Sequence, residues 1–502
     1  MTRPKASVAA GLIARNTLWN LAGQVAPLAA AVICIPLLIR GLAPEGFGLL
    51  SLAWMVVGYF SLFDLGLGRA LTQLVADRLG SGSVEGIPEL VATAMALMLG
   101  LGVLGTAAAL AATPWAVDIA LNVPAGMQAE ARGAFRLMAF AVPAVTITAA
   151  LRGLLEANQR FGVVNALKAP LGVFNFAGPA VTLLFSRRLD VVVAVLAVSR
   201  YASAFAHLVA CRSALPLQFS LRTPDWTLAP GLLKFGGWMT VSNIVSPLMV
   251  YFDRFVIGSL VSMSAVAFYV TPYEIVTKLW AIPAALVAVL FPAFTMIRAS
   301  DPLHAARWLA RAMRYLFVVM FPLTFGILVL APWGLRIWVG SPFEANSTRV
   351  LQWLAAGVFV NSMGYVPFAF VQGAGRPDLT AKLHFAELPV YAAVLWWAVE
   401  RFGIEGAAIA WFARVAVDTA LLMWISVRLG VDRRVLRSPS VAVGIALAWM
   451  LAGGLLASGW ASLAFLGATY LLALPIFWNF LLDGQERSKV RRTFAGLLGR
   501  AA

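Results

Sequence analysis

Residues 190–211 read Asp190-VVVAVLAVSRYASAFAHLVA-Cys211, an apolar run of 22 residues interrupted near its middle by Arg200. A hydrocarbon core of roughly 30 Å needs about 20 helical residues to cross it. Only a helix satisfies the backbone groups of such a segment from within itself. Comparable runs recur from Asn16 to Leu482. They predict fourteen spans, near 16–39, 48–68, 89–112, 133–153, 163–185, 190–211, 235–258, 264–290, 312–333, 350–371, 382–400, 404–427, 440–458 and 461–482. Hydrophobic residues make up 61% of the chain and charged ones 12%, with a mean hydropathy of +0.86. A water-soluble domain carries about a quarter charged residues, so a soluble fold is excluded.

Lysines and arginines orient the spans, because the topogenic rule counts these residues and not net charge. With the N-terminus inside, and residues near a span's end counted with the side they adjoin, twenty-six of the 38 fall on the cytoplasmic side, eight outside and four deep within spans. The formal charge of +16 therefore tracks membrane topology and implies no nucleic-acid partner. The first span, preceded by Arg3, Lys5 and Arg15, reads as a retained helix. Both termini are expected in the cytoplasm.

The two halves repeat with an offset near 219 residues. Trp19, Pro27 and Phe47 stand against Trp238, Pro247 and Phe268, Arg160 and Pro170 against Arg376 and Pro389, and Arg200 against Arg414. Six spans per repeat is an even number, which relates the halves by an axis along the membrane normal. The expected organisation is a cytoplasmic N-terminus (1–15), a six-helix bundle (16–212), a cytoplasmic linker (213–234), a second six-helix bundle (235–428), two additional spans (429–482) and a basic cytoplasmic tail (483–502).

A charge in mid-span is costly and normally faces protein or a wet cavity. Arg200, Arg254, Lys278 and Arg414 are such cations. Ion pairing is the competing reading: Asp418 lies one turn from Arg414, Glu274 one turn from Lys278, and Asp253 adjoins Arg254. Arg200 has no acid near it in its span and needs a partner from another helix or an anionic ligand. Asp64 and Arg69 close the second span as a helix terminus at the headgroups or a gate, and Asp64, Asp253, Glu274 and Asp418 are candidates for ion coupling. Pro27, Pro36, Pro143, Pro247, Pro283 and Pro322 lie inside spans, where they bend helices. Cys34 and Cys211 occupy separate spans and predict no disulfide. His207, His304 and His384 show no metal-ligand spacing, and no nucleotide fingerprint is present. Neither catalytic residues nor a cofactor are expected.

Several motifs together resemble a known family. They are Asn16-Thr17-Leu18-Trp19-Asn20, Gly46-Phe47-Gly48 leading to Phe63-Asp64-Leu65-Gly66-Leu67-Gly68, and Tyr251-Phe252-Asp253-Arg254-Phe255-Val256-Ile257-Gly258. Tyr269, Pro272, Glu274 and Lys278 follow, then Gly373-Ala374-Gly375-Arg376, and Gly403 to Trp411 before Arg414. In this order over most of the chain they resemble the Wzx-type polysaccharide flippases of the multidrug/oligosaccharidyl-lipid/polysaccharide exporter superfamily. The resemblance implies a V-shaped pair of bundles in the bacterial inner membrane, moving an undecaprenyl-diphosphate-linked oligosaccharide outward by alternating access for O-antigen or exopolysaccharide synthesis. It implies a cationic cavity, for which the mid-span Arg200, Arg254, Lys278 and Arg414 are the candidate headgroup contacts, a proton or sodium gradient as drive, and a polymerase and chain-length proteins as partners. A lipid II flippase and a multidrug extruder of the same superfamily remain alternatives, with a membrane polymerase or ligase further off because the outside loops are short.

Overall fold

The computed structural model describes residues 6–60, 66–81, 85–215, 223–287, 290, 294, 302–455, 460–476 and 487–488. Among these residues the regular structure is entirely helical, without a strand. The fourteen α-helices among the described residues begin with α1 (Ala6–Phe60), α2 (Leu67–Gly80), α3 (Ile87–Trp115), α4 (Gln128–Phe140), α5 (Val142–Ala157), α6 (Phe161–Thr182) and α7 (Leu189–Ala214). They continue with α8 (Ala229–Leu260), α9 (Met263–Val276), α10 (Pro302–Trp338), α11 (Ser341–Gly373), α12 (Pro377–Arg428), α13 (Arg433–Leu455) and α14 (Trp460–Ile476). Eight described segments are long and apolar enough to cross a membrane.

Helices and expected spans do not map one to one among the described residues. A straight helix rises about 1.5 Å per residue, so the 52 residues of α12 would overshoot a bilayer more than twofold. Gly403, at φ 59° and ψ −139°, turns the chain there and divides α12 into the eleventh and twelfth expected spans. Ala43, at φ 57° and ψ 167° before Pro44, divides α1 likewise. The second expected span is described as far as Phe60, and a separate helix, α2, starts at Leu67 after Gly66 at φ 70°. The fourth is two helices meeting at Ala141, where Pro143 in the first turn of α5 has no N–H to offer the preceding helix. Pro27, Pro36 and Pro322 stay within continuous helical assignments.

The chain forms two compact units, Met1–Thr271 and Pro272–Ala502. In the first, Leu71, Met98, Leu151, Leu154 and Cys211 make a common core for α2, α3, α5 and α7. The Thr72 hydroxyl reaches both Gly68 O at 2.9 Å and Gly153 O at 3.2 Å, joining α2 to α5. Cys34 and Cys211 are both free and buried, as expected.

In the second unit α11 is central: 83% of its most apolar stretch is buried, against 28% for α13. It packs between α10 and α12. Without a hydrophobic drive between helices in lipid, small residues and interhelical hydrogen bonds set such contacts. Gly357 of α11 lies directly under the Trp411 ring, where a Cβ has no room. Thr419 of α12 donates to Val360 O at 3.2 Å. The last two helices are tied to this unit by polar groups. Tyr470 of α14 donates to Pro322 O of α10 at 2.7 Å, and Arg349 of α11 to Gly454 O of α13 at 3.1 Å.

Candidate functional site

In the first unit, α7 carries Arg200 beside α6. One guanidinium nitrogen donates to Asn175 Oδ1 at 2.6 Å, while its buried Nε has no hydrogen-bond partner. Among the described residues no carboxylate pairs with it. The partner expected from another helix is thus a neutral amide, which positions the guanidinium and leaves its charge uncompensated.

Asp253 and Arg254 are both buried on α8, with 1% and 2% of their surface exposed. Asp253 Oδ2 accepts from the Tyr269 hydroxyl of α9 at 2.6 Å, and Oδ1 from the Arg254 backbone N–H at 2.7 Å. The Arg254 guanidinium lies 4.9 Å from the centre of the Tyr251 ring, within cation–π range. Both carboxylate oxygens are therefore occupied by fixed donors. Arg69, the third residue of α2, is exposed. Asp64 lies outside the described residues.

In the second unit Glu274 and Lys278 form the pair their spacing suggested, at 3.2 Å. Lys278 sits on a single 3-10 turn, Thr277–Trp280, and is exposed. Arg414 lies with its guanidinium 5.4 Å from the Tyr391 ring centre, across the Gly403 turn.

Asp418 has a neighbour that the sequence reading did not anticipate: its Oδ1 lies 3.4 Å from His384 Nε2. Glu387, one turn beyond His384, completes a cluster in which one ligand atom from each of the three residues lies within 4.8 Å of the others. Glu387 and Asp418 are 9% and 7% exposed, and neither oxygen of Glu387 has a hydrogen-bond partner. The His384 ring is stacked on Phe368 of α11, which fixes its plane.

The turn at Gly403 makes this arrangement, because it folds the two halves of α12 back to back and brings residues 34 apart in sequence face to face. Two carboxylates at this separation repel by about 3 kcal/mol at an effective dielectric of about 20, more where it is drier. A positive charge beside the cluster offsets this repulsion, whether from Arg414 one turn before Asp418, from a protonated His384, or from a small cation held by one imidazole nitrogen and two carboxylates. Sequence reasoning missed His384 and Glu387. Their i, i+3 spacing was the available signal, and it became informative only once Asp418 was known to face it.

Comparison with known proteins agrees with this architecture. Residues 13–298 match the family described as polysaccharide biosynthesis protein. A curated protein of Shigella flexneri, named "Putative O-antigen transporter", is 32% identical over 420 residues, covering 83% of this chain and 98% of its own. Among solved structures, the lipid II flippase MurJ in an inward closed conformation aligns with a TM-score of 0.69 at 12% identity, over 93% of this chain and 99% of its own. An inward-facing multidrug resistance transporter of the MATE family aligns with 0.65 at 16% identity, over 81% and 97%. At these identities the structural likeness speaks to the fold alone.

Proposed function

Because this multi-pass membrane protein belongs to the polysaccharide biosynthesis protein family, we propose that it moves an undecaprenyl-diphosphate-linked oligosaccharide across the bacterial inner membrane, for O-antigen or exopolysaccharide synthesis. The near full-length likeness to a protein named for O-antigen transport supports the substrate class. The structural observation that carries the reading is Arg200, a guanidinium in mid-span whose described side-chain partner is a neutral amide. Such a group has lost much of its hydration and offers planar, bidentate donors that match phosphate oxygens. The lipid tail stays in the bilayer, so the protein has to shield only the diphosphate and the sugar.

In this reading both termini face the cytoplasm and the halves alternate access to the two sides. No cofactor takes part, and the chain acts as a carrier, handing its cargo to a polymerase and chain-length proteins outside. An ion gradient drives the cycle. The His384, Glu387 and Asp418 cluster is the place where a proton or sodium ion is taken up, since Asp253 has both oxygens filled and Glu274 is paired. Cationic drugs, the cargo of multidrug extruders, would meet like charge at Arg200.

Deleting the gene and identifying the lipid that accumulates on the cytoplasmic leaflet tests the substrate. Accumulation of a lipid-linked O-antigen or exopolysaccharide unit is expected; accumulation of lipid II would move the assignment to peptidoglycan, and normal polymer output would refute the reading. The Arg200→Ala variant should reach the membrane at normal abundance yet export at least about tenfold less polymer, the loss of one charge-assisted contact to phosphate. Polymer output near that of the wild type would remove Arg200 from the site.

A further inference from the structure

The first half of α12 brings His384 and Glu387, three residues apart on one helical face, to Asp418 of its second half. Asp418 Oδ1 and His384 Nε2 stand 3.4 Å apart. This is not a hydrogen bond, since Asp418 Oδ1 has no hydrogen-bond partner. It is instead the spacing of two ligands on one small ion: tetrahedral bonds of about 2.0–2.2 Å to nitrogen and oxygen set neighbouring ligand atoms about 3.3–3.6 Å apart. A Glu387 oxygen lies within 4.8 Å of both. Glu387 is only 9% exposed and no hydrogen bond holds either of its oxygens, so a side-chain rotation closes the remaining gap of about 1 Å. Arg414 brings positive charge nearby, but it offers donors only and bonds to neither oxygen of Glu387. The His384 side chain is 32% exposed against 9% for Asp418, so the imidazole edge is the way in.

We propose that His384, Glu387 and Asp418 bind a divalent transition-metal ion, zinc being the best fit, and that the bound ion blocks transport. The donor set selects this class of ion. An imidazole nitrogen suits zinc and its neighbours, whereas magnesium and calcium are held by oxygen donors. Three protein ligands leave a fourth position for water, an arrangement zinc adopts readily, and two carboxylates match the charge of a dication. The stack of His384 on Phe368 keeps the ring plane set before any ion arrives. Among the described residues this is the one grouping of three metal-ligating side chains. His207 lies apart from it in the first unit, its Nδ1 2.8 Å from Ser203 O, and Cys34 and Cys211 are buried on separate helices. The block rests on the coupling role given to this cluster above, because a dication seated on all three groups occupies the place that a proton or sodium ion would take. The binding itself does not rest on that role.

Equilibrium dialysis of the purified, chelator-treated full chain against zinc tests the site with neither glycan nor gradient present. One zinc ion per chain is expected, retained in excess magnesium. Its affinity should fall at least about tenfold in His384→Gln and in Glu387→Gln, and stay unchanged in His207→Gln. Glu387→Gln relieves a repulsion and should fold as the wild type does, so it decides the matter if His384→Gln does not fold. No zinc on the wild type, displacement by magnesium, or unchanged affinity in Glu387→Gln would each overturn the site. In vesicles, saturating zinc should abolish the acceleration of glycan exposure by the gradient, and magnesium should not. Full zinc binding with gradient-driven exposure unaltered would overturn the block and the coupling role together. Gradient-driven exposure in a chain that binds no zinc would overturn the metal site and leave the transport reading standing.

Discussion

Asp253 and Glu387 are both buried acids on long membrane helices, each with an arginine on the same chain segment or its continuation, and they end in opposite situations. Asp253 is met by the Tyr269 hydroxyl and by a backbone N–H, so its two oxygens are filled. Glu387 faces a second carboxylate, Asp418, and neither of its oxygens has a hydrogen-bond partner. The difference comes from what the neighbouring helix supplies: α9 offers a hydroxyl donor, whereas the return half of α12 offers another acid. A filled acid locks two helices together. An unfilled pair is a place where charge can come and go, because a satisfied network is rigid and an unsatisfied one in a dry setting is costly until something binds.

Removing each acid should therefore produce opposite kinds of defect. Asp253→Ala takes away the partner of a buried tyrosine beside a buried arginine, and the fold should lose about 3–5 kcal/mol, read as low membrane abundance and a much lower unfolding midpoint. A variant as abundant and as stable as the wild type would show that the network does not hold α8 to α9. Glu387→Gln removes one of two repelling charges, so stability should hold or rise while gradient-driven transport falls at least about tenfold, one unit of coupling lost for each 1.4 kcal/mol. Transport at the wild-type rate would end the role of this cluster in coupling.

Smaller changes sharpen the contrast. Tyr269→Phe leaves one oxygen of Asp253 without its donor and should cost about 1–3 kcal/mol, measurable as a lower unfolding midpoint with the transport rate per folded molecule unchanged. The smallest effect concerns Asp225, in the connection ahead of α8, whose carboxylate accepts from the Thr227 hydroxyl at 2.7 Å and its backbone N–H at 3.0 Å. These bonds hold the Asp225 carboxyl below its ordinary value. The unfolded chain then binds the proton more readily, so this contribution is present above about pH 4 and lost as pH falls further through the lowered value. Asp225→Asn should lower stability slightly at neutral pH and flatten that acid limb, its effect vanishing well below about pH 4; an effect absent at pH 7, or persisting unchanged at low pH, would contradict the sign.

Much of this architecture is legible in the chain itself, because the bilayer imposes a single rule of length and apolarity on every span. The turn at Gly403 coincides with the boundary read between the eleventh and twelfth spans. The pair Glu274 and Lys278 followed from helical spacing alone. Local backbone geometry is what hydropathy does not show: the fourth span bends at Ala141 ahead of Pro143, and α2 starts after Gly66 in its left-handed conformation.

The candidate site was legible by residue type more than by partnership. Arg200 was identified as a cation without an acid, and the structure adds Asn175. Asp418 was matched to Arg414 because i, i+4 spacing is visible in sequence; its contact with His384 is made across a helical turn 34 residues away and is not. Glu387 passed unremarked within its span, since a lone glutamate there has no meaning until Asp418 and His384 are seen beside it.

The most direct measurement reconstitutes the purified chain in vesicles with the lipid-linked oligosaccharide that accumulates on deletion, and follows exposure of the glycan at the opposite surface with and without an imposed ion gradient. The expected result is exposure that requires the protein, quickens with the gradient in the wild type, and loses that dependence in Glu387→Gln. Equal exposure from vesicles lacking the protein would contradict the account.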